Sequence, residues 1–191
     1  MNVSDVFPTR LFMLQKIFDE HELLEILNVV KADTKNLTDV MNGNNGPTYR
    51  TNYFIANITW PHFSPILEKL NRHLNDDNLG FEFHAAWYAE YGEYDHHGPH
   101  IHAGGPLQRQ TDLMDMDDAL KYSGIINLSD FGQTMFINPN PSSFFKAEIP
   151  IHSVFGEVIL FPSNVWHYVQ PHGLRDKTRA SFSFNGLLRG L

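Results

Sequence analysis

The sequence predicts a mainly β protein: an antiparallel double sheet of the jelly-roll type, with helices packed outside one of the sheets. In the N-terminal part, apolar residues recur at the three- and four-residue spacing that is typical of amphipathic helices. From Phe81 onward, short runs of β-branched and aromatic residues are separated by turn residues. Helices followed by many short strands favour a folded-over sheet with helices on one face.

Residues 1–80 are predicted to form a mostly helical support. Apolar residues between 14 and 32 follow the helical period, which predicts a first helix there. A second helix should start at Ser64, a capping residue before Pro65, and end near residues 75–77. The remaining segments are predicted to be an extended lead, a polar loop and a strand, at residues 3–12, 33–47 and 48–54.

Residues 81–186 are predicted to form the β core. Its first strand alternates from Phe81 to Glu90, which indicates one buried face and one more polar face. The segment 103–121, which contains four aspartates, is predicted to be a surface insertion. Further strands are expected at residues 122–128, 134–137, 154–161, 165–169 and 178–184.

Length and composition indicate one domain, residues 1–191, with one substantial core. No run approaches the roughly 18 apolar residues that a membrane span requires, and the N-terminus lacks a targeting pattern. We therefore expect a cytoplasmic protein without a membrane partner. The chain contains no cysteine. Any transition metal must therefore be held by histidine, by carboxylate groups or by neutral oxygen groups.

The formal net charge of −8 argues against broad, phosphate-driven binding of nucleic acid. Proteins that bind in this way normally carry a basic patch or a high isoelectric point. The charge does not exclude a local basic groove.

The histidine pair His100 and His102 is the most informative motif. Side chains two residues apart on an extended chain project to the same face, and a third histidine, His167, can join them through tertiary folding. Arg179 follows His167 by twelve residues, so the pattern predicts a metal site with an anion pocket beside it. In the alternative interpretation, His100 and His102 are polar loop residues and His167 is a hydrogen-bonded core residue.

Three other side chains lie beside these motifs. His96 and His97 precede the histidine pair and are expected to be exposed to solvent. Trp166 precedes His167 and is expected to fill the core, as aromatic residues beside a buried site usually do.

Six segments in sequence order resemble the iron(II)- and 2-oxoglutarate-dependent oxygenases, most closely the bacterial and phage branch related to prolyl hydroxylases. The resemblance covers about residues 81–186, and its most specific part runs from Gly156 to Asn185. The segments are Tyr91-Gly92, His100-Ile101-His102, Ser123-Gly124-Ile125-Ile126, residues 156–163, His167 and residues 179–185.

The resemblance implies a double-stranded β-helix, a cupin-like variant of the jelly roll, that holds iron(II) at one end of the barrel. It also implies 2-oxoglutarate and O₂ as co-substrates of an oxidation reaction. The residues that match the family's iron ligands are His100, His102 and His167. Arg179 and Ser181 match the residues that bind the distal carboxylate of 2-oxoglutarate, and Tyr91 and Asn127 match positions that often add polar contacts. Asn127 stands where a tyrosine is common.

The chain departs from most of the superfamily at His102, where aspartate or glutamate is usual. The branch that it resembles also carries His-x-His, so three histidine ligands are the simplest prediction. Asp95 and Glu93 are the nearest alternative carboxylates, and if one of them binds the metal, His102 takes a supporting or substrate-binding role.

Three functions are compatible with this pattern. The leading one is a non-heme iron(II)- and 2-oxoglutarate-dependent dioxygenase that hydroxylates an organic substrate, which the sequence does not identify. The missing carboxylate motivates a cupin-type three-histidine dioxygenase without 2-oxoglutarate as the first alternative. The second alternative is a non-enzymatic jelly-roll module for binding or structure.

Overall fold

The computed structural model describes residues 2–6, 9–15, 17–33, 49–50, 52–56, 63–76, 78–102, 119–138 and 146–190. Strands predominate among them, and none of the described helices is long and apolar enough to cross a membrane. In chain order the elements are β1 (Asn2–Val6), β2 (Thr9–Leu14), α1 (Glu20–Asp33), β3 (Tyr49–Arg50), β4 (Asn52–Ala56), α2 (Phe63–Asn75), β5 (Gly80–Tyr91), β6 (His96–His100), β7 (Ala119–Asn127), β8 (Gln133–Ile137), β9 (Glu148–His152), β10 (Val158–Pro162), β11 (His167–Val169) and β12 (Arg179–Arg189).

The described strands form two antiparallel sheets. The larger sheet has the order β1-β2-β10-β7-β12-β5-β4, and the smaller one has the order β3-β6-β11-β8-β9. Buried side chains from both sheets meet in one cluster, in which Phe136 and Ile151 of the smaller sheet pack with Ile125, Ile159 and Phe161 of the larger one. This arrangement confirms the predicted mainly β, jelly-roll fold.

Alternation along β12 assigns the two faces of the larger sheet. Phe182 and Phe184 point to the outer face, where they are fully buried in a cluster with Leu70 and Leu74 of α2. Residues 179, 181 and 183 point to the opposite face and line a cavity between the sheets. The helices therefore cover the outer face of one sheet, as the sequence predicts, and leave the inner face for the site.

The predicted alternation in β5 holds only at its start. Phe81 is buried and Glu82 is exposed, but Ala86 and Tyr88 on the predicted polar face are also buried. Tyr88 lies in the same helix-facing cluster as Phe81, because the register of β5 against β12 shifts directly after Phe83 and reverses which residues face the helices. A strand that is covered on both sides loses the alternation signal.

The N-terminal part is less helical than predicted. Helix α1 begins at Glu20 and not at residue 14, since Leu14 ends β2 and pairs with Val158 of β10. A reciprocal cap marks the true start: the backbone N–H of Glu22 donates to Asp19, and the backbone N–H of Asp19 donates to the Glu22 carboxylate. Strands β1 to β4 also lie in this part of the chain and pair with strands of both sheets.

Strand β9 is absent from the sequence prediction. It contains Pro150, which cannot donate to a ladder, and such a strand is tolerated because β9 lies at the edge of the smaller sheet. Strand β10 starts four residues later than predicted, since Val154 to Glu157 form a turn in which Gly156 has a φ of 78°. Residues 34–47 of the predicted loop and residues 103–118 of the predicted acidic insertion lie outside the described residues. Asp33 of that loop instead ends α1, and residues 119–121 of that insertion belong to β7.

Candidate metal centre

Strand pairing brings the three histidines of the predicted site together. His100 is the last residue of β6, and His167, the first residue of β11, is its direct partner across the antiparallel ladder. His102 follows two residues after His100, and its backbone N–H donates to the carbonyl of Ser163 at 2.9 Å. The chain thus presents three imidazoles from two distant segments at one point between the sheets.

The three imidazoles are close enough to share one ion. The Nε2 atoms of His100 and His102 lie 3.1 Å apart. One ring nitrogen of each of the three histidines lies within 4.8 Å of the other two. Among the described residues, this is the one group of histidine and carboxylate side chains with metal-binding geometry.

Hydrogen bonds at Nδ1 determine which nitrogen of each ring faces the centre. His100 Nδ1 lies 2.8 Å from the carbonyl oxygen of Gly98, and His167 Nδ1 lies 2.9 Å from that of Val165. A carbonyl oxygen only accepts, so both Nδ1 atoms carry the proton and donate it. The Nε2 lone pairs of His100 and His167 are consequently free to bind a metal, which is the second-sphere arrangement that metal-binding histidines use.

Burial keeps these rings neutral. His167 is 2% exposed, and burial lowers its pKa well below the ordinary value. Burial, followed by the charge of the neighbouring His100, lowers the pKa of His102 to about 3. Burial also lowers the pKa of His100. At neutral pH the imidazoles are therefore in the unprotonated form that a metal requires.

The alternative carboxylates do not join this group. Asp95 accepts a hydrogen bond from the backbone N–H of Gly92 at 2.7 Å, and its own N–H donates to the Gly92 carbonyl. Its side chain therefore caps the turn between β5 and β6. Glu93 lies in the same turn and interacts with Tyr94.

Arg179 places a buried cation beside the histidines. Its side chain is 1% exposed and donates to the Gln133 carbonyl at 3.2 Å and to the Thr134 hydroxyl at 3.0 Å, and its Nε has no hydrogen-bond partner within the described part of the chain. Burial lowers its pKa, but a guanidinium remains charged at neutral pH. Among the described residues it has no carboxylate partner, and a buried charge without one is costly. A bound carboxylate would supply the missing charge and acceptor.

The histidines and Arg179 line a single cavity. It contains about 330 Å³ of atom-free space, part of it open to solvent. Its lining combines the polar side chains of the histidines and Arg179 with apolar side chains such as Ile125 and Val169. The lining residues are Trp87, Tyr91, His97, His100, His102, Ile125, Thr134, His167, Val169, Arg179, Ser181 and Ser183.

The supporting residues that the resemblance implies have different positions. Ser181 lines the cavity, and Tyr91 does so with its ring centroid 5.6 Å from Cζ of Arg179. Asn127 pairs directly with Ser181 across β7 and β12 and therefore lies on the same face of the sheet. It is 1% exposed and does not line the cavity, and neither atom of its amide has a hydrogen-bond partner among the residues that the structure describes.

Two expectations about neighbouring side chains are wrong. His97 is 7% exposed, and its ring stacks on that of His100 with centroids 3.9 Å apart. It is buried because β6 lies inside the smaller sheet, between β3 and β11. Trp166 is 46% exposed, since it precedes β11 in a turn and its neighbour His167 takes the inward position.

Sequence reasoning assigns no role to several polar residues of the site. Ser123 and Asn185 contact Nδ1 of His102, each at 2.9 Å, and Thr134 holds the Arg179 guanidinium. Ser123 and Asn185 occur in the segments that carry the family resemblance. The sequence feature that indicates a role for them is a polar residue at an inward-facing position of a core strand. Thr134 offers no signal of this kind, because it is one β-branched residue of a predicted strand.

Comparisons with solved structures support the same fold at low sequence identity. A prolyl-4-hydroxylase of Pseudomonas putida is 15% identical, with a TM-score of 0.60 over 95% of this chain and 93% of that chain. A 2OG-Fe(II) oxygenase family oxidoreductase of Burkholderia pseudomallei is 17% identical, with a TM-score of 0.60 over 94% of this chain and 84% of that chain. The non-heme alpha-ketoglutarate-dependent carbocyclase of nogalamycin biosynthesis is 8% identical, with a TM-score of 0.67 over 93% and 79%.

A family model provides the evidence for membership. No curated protein sequence matches the chain at a significant level. The model described as "Putative 2OG-Fe(II) oxygenase" matches residues 85–185, which is more than half of the 191 residues and includes all three histidines and Arg179. The chain therefore belongs to the 2OG-Fe(II) oxygenases, a family of enzymes that use iron(II), 2-oxoglutarate and O₂.

Proposed function

We propose that this chain is a dioxygenase that uses iron(II) and 2-oxoglutarate to oxidise, most simply to hydroxylate, an organic substrate. The observation that carries the proposal is that three converging imidazoles and the Arg179 guanidinium line the same cavity. The first group suits a transition metal such as iron, and the second suits a carboxylate. A 2-oxo acid needs both at once, because its oxo end chelates the metal while its distal carboxylate binds elsewhere.

His100, His102 and His167 would hold the iron through the ring nitrogens that face the centre. When bound, the metal supplies the redox chemistry that couples 2-oxoglutarate decarboxylation to substrate oxidation. Three imidazoles leave coordination positions for 2-oxoglutarate and O₂. Since no thiolate or carboxylate joins the group among the described residues, the three rings leave the charge of the ion unneutralised.

Arg179 and Ser181 would bind the distal carboxylate of 2-oxoglutarate. The guanidinium is held in place by Gln133 and Thr134, which leaves Nε available to the ligand. The Tyr91 ring packs against it and limits its rotation. Asn127 lies beside Ser181 on the neighbouring strand, where its unpartnered amide could extend this polar surface. The apolar side chains of Ile125 and Val169 line the same cavity and would limit the access of water to a bound ligand.

A three-histidine dioxygenase without 2-oxoglutarate is the second candidate, and the absence of a carboxylate from the histidine group favours it. In this second candidate, however, no ligand carboxylate would pair with the buried charge of Arg179. The non-enzymatic alternative is disfavoured by membership of an enzyme family.

The test is oxygen consumption by iron(II)-loaded protein with and without 2-oxoglutarate, with succinate measured in parallel. We expect slow oxygen uptake and succinate formation that depend on both iron and 2-oxoglutarate, even before a substrate is known. The variant His167→Ala should abolish both signals. Oxygen uptake that does not depend on 2-oxoglutarate would support the second candidate instead.

A further inference from the structure

His102 differs from the other two histidines in what holds its Nδ1 atom. His100 and His167 each donate to a backbone carbonyl two residues earlier. His102 Nδ1 instead faces two side chains, Asn185 Oδ1 and Ser123 Oγ, each at 2.9 Å. The orientation of this ring therefore depends on side-chain chemistry and can be changed by mutation.

The directions of these hydrogen bonds follow from counting protons. The Ser123 hydroxyl donates its single proton to Asn185 Oδ1 at 2.8 Å. Ser123 Oγ also lies 2.9 Å from Ser163 Oγ, so Ser163 must be the donor of that pair. Asn185 Oδ1 accepts only, and the one proton that can satisfy its contact with His102 is the proton on Nδ1.

The fold directs Asn185 to this point. Asn185 continues the inward series of Arg179, Ser181 and Ser183 on β12, and the pairing of β12 with β5 shifts its register immediately after it. A bulge of this kind re-aims side chains beside a site. Gly186 is required there, because a Cβ atom would lie 2.0 Å from the carbonyl oxygen of Glu82.

We propose that Asn185 is a positioning residue that holds His102 as the Nδ1–H tautomer and so turns the Nε2 lone pair toward the metal. Ser123 and Ser163 complete the network, since Ser123 donates to the Asn185 carbonyl oxygen and accepts from Ser163. The assignment of iron as the metal rests on the proposed function, but the tautomer does not. The amide also carries no charge, so the ion retains its full positive charge toward anionic ligands.

The first test measures the tautomer directly in metal-free protein at pH 8, by ¹⁵N–¹H correlation spectra of the histidine rings. In the unmodified protein His102 should show a protonated Nδ1 and an unprotonated Nε2. Asn185→Leu removes the acceptor at nearly constant shape. Ser123 Oγ can then either accept from Nδ1 or donate to it, so a mixture of tautomers is expected. Asn185→Asp keeps an acceptor and should keep the tautomer.

Ser183→Ala is the matched control, because Ser183 is the preceding inward residue of β12 and has no hydrogen bond to His102. It should leave the His102 signals unchanged. An unprotonated Nδ1 in the unmodified protein would overturn the proposal without reference to any variant. Unchanged tautomer populations in folded Asn185→Leu would overturn it as well.

The second test is titration with cobalt(II), a spectroscopic substitute for iron(II). Asn185→Leu should weaken cobalt(II) binding by about 10- to 100-fold, as the loss of a partner of a metal-binding histidine typically does. Asn185→Asp should restore the affinity, which a merely structural defect would not allow. If these results hold while 2-oxoglutarate does not bind, the proposed function fails and the role of Asn185 stands. Equal affinities in all variants would contradict the role of Asn185 alone.

Discussion

The Nε2 atoms of His100 and His102 lie 3.1 Å apart, although the proton of each ring is engaged on the opposite side. Two lone pairs at this distance repel each other unless a cation lies between them. The hydrogen bonds at Nδ1 hold both rings in this orientation. A metal ion bound to both Nε2 atoms would replace this repulsion with attraction.

We therefore expect cobalt(II) or zinc(II) to raise the melting temperature. At a metal concentration of 100 times the dissociation constant, linkage adds about 2.7 kcal/mol to the free energy of unfolding. For a chain of this length that is an increase of roughly 5–10 °C. His100→Ala should abolish the increase, and His152→Ala, which changes an exposed histidine outside the group, should retain it. Differential scanning calorimetry measures both.

Arg179→Gln should weaken 2-oxoglutarate binding without removing the metal. The change eliminates the buried positive charge and one of the two parallel hydrogen bonds that a guanidinium offers to a carboxylate. We expect affinity to fall on the order of 10- to 100-fold by calorimetric titration of the zinc(II)-loaded protein. Arg189→Gln, at a half-exposed residue paired with Glu82, is the control and should bind normally. Equal affinity in both variants would refute the anion pocket.

Gly124→Ala should destabilise the fold from the opposite face of β7. A Cβ atom at this position would lie 2.0 Å from the ring of Phe184, which is fully buried against the helices. Overpacking of this kind costs about 1–3 kcal/mol, and each kcal/mol lowers the melting temperature by roughly 2–4 °C. In Gly80→Ala no atom lies within 4 Å of the new methyl group, so its melting temperature should stay close to that of the unmodified protein.

Glu157→Gln should stabilise the protein, and more so at pH 8 than at pH 5. Glu157 is 1% exposed, one of its carboxyl oxygens has no hydrogen-bond partner in the described ranges, and burial raises its pKa above the ordinary value of 4.5. The folded state therefore holds a proton that the unfolded state releases, and stability falls as pH rises from 4.5 through the folded pKa. The glutamine variant lacks this loss and should gain on the order of 1 kcal/mol at pH 8.

Denaturant unfolding at the two pH values measures the effect. Glu68→Gln, at an exposed position of α2, serves as the control and should show the same pH dependence as the unmodified protein. A Glu157→Gln variant with that same dependence would show that the Glu157 carboxyl is not perturbed by burial.

Local sequence patterns predict the helices, most of the strands and the turns between them. The spacing of Leu70 and Leu74 indicates a helix, and turn residues separate the strands. These two patterns are sufficient to predict a jelly roll with external helices. The same patterns miss β9, where Pro150 hides an edge strand, and the burial of Tyr88 beside Phe81, which depends on the register shift in β5. Tertiary contacts decide both features.

The candidate site divides in the same way. His100, His102, His167 and Arg179 are recognisable from spacing and resemblance, and the structure brings them to one cavity. The contact between His102 and Asn185 joins residues 83 positions apart and depends on a bulge, so spacing offers no signal for it. The role of Asn127 stays a prediction, because its amide lies beside Ser181 but outside the cavity lining.

The most direct test of the central claim is anaerobic titration of iron(II)-loaded protein with 2-oxoglutarate, followed by visible absorption. Chelation of iron(II) by the 2-oxo acid produces a charge-transfer band, and we expect this band to saturate at one equivalent and to be absent in His167→Ala. Iron(II) that binds to the three histidines but yields no band with 2-oxoglutarate would contradict the claim.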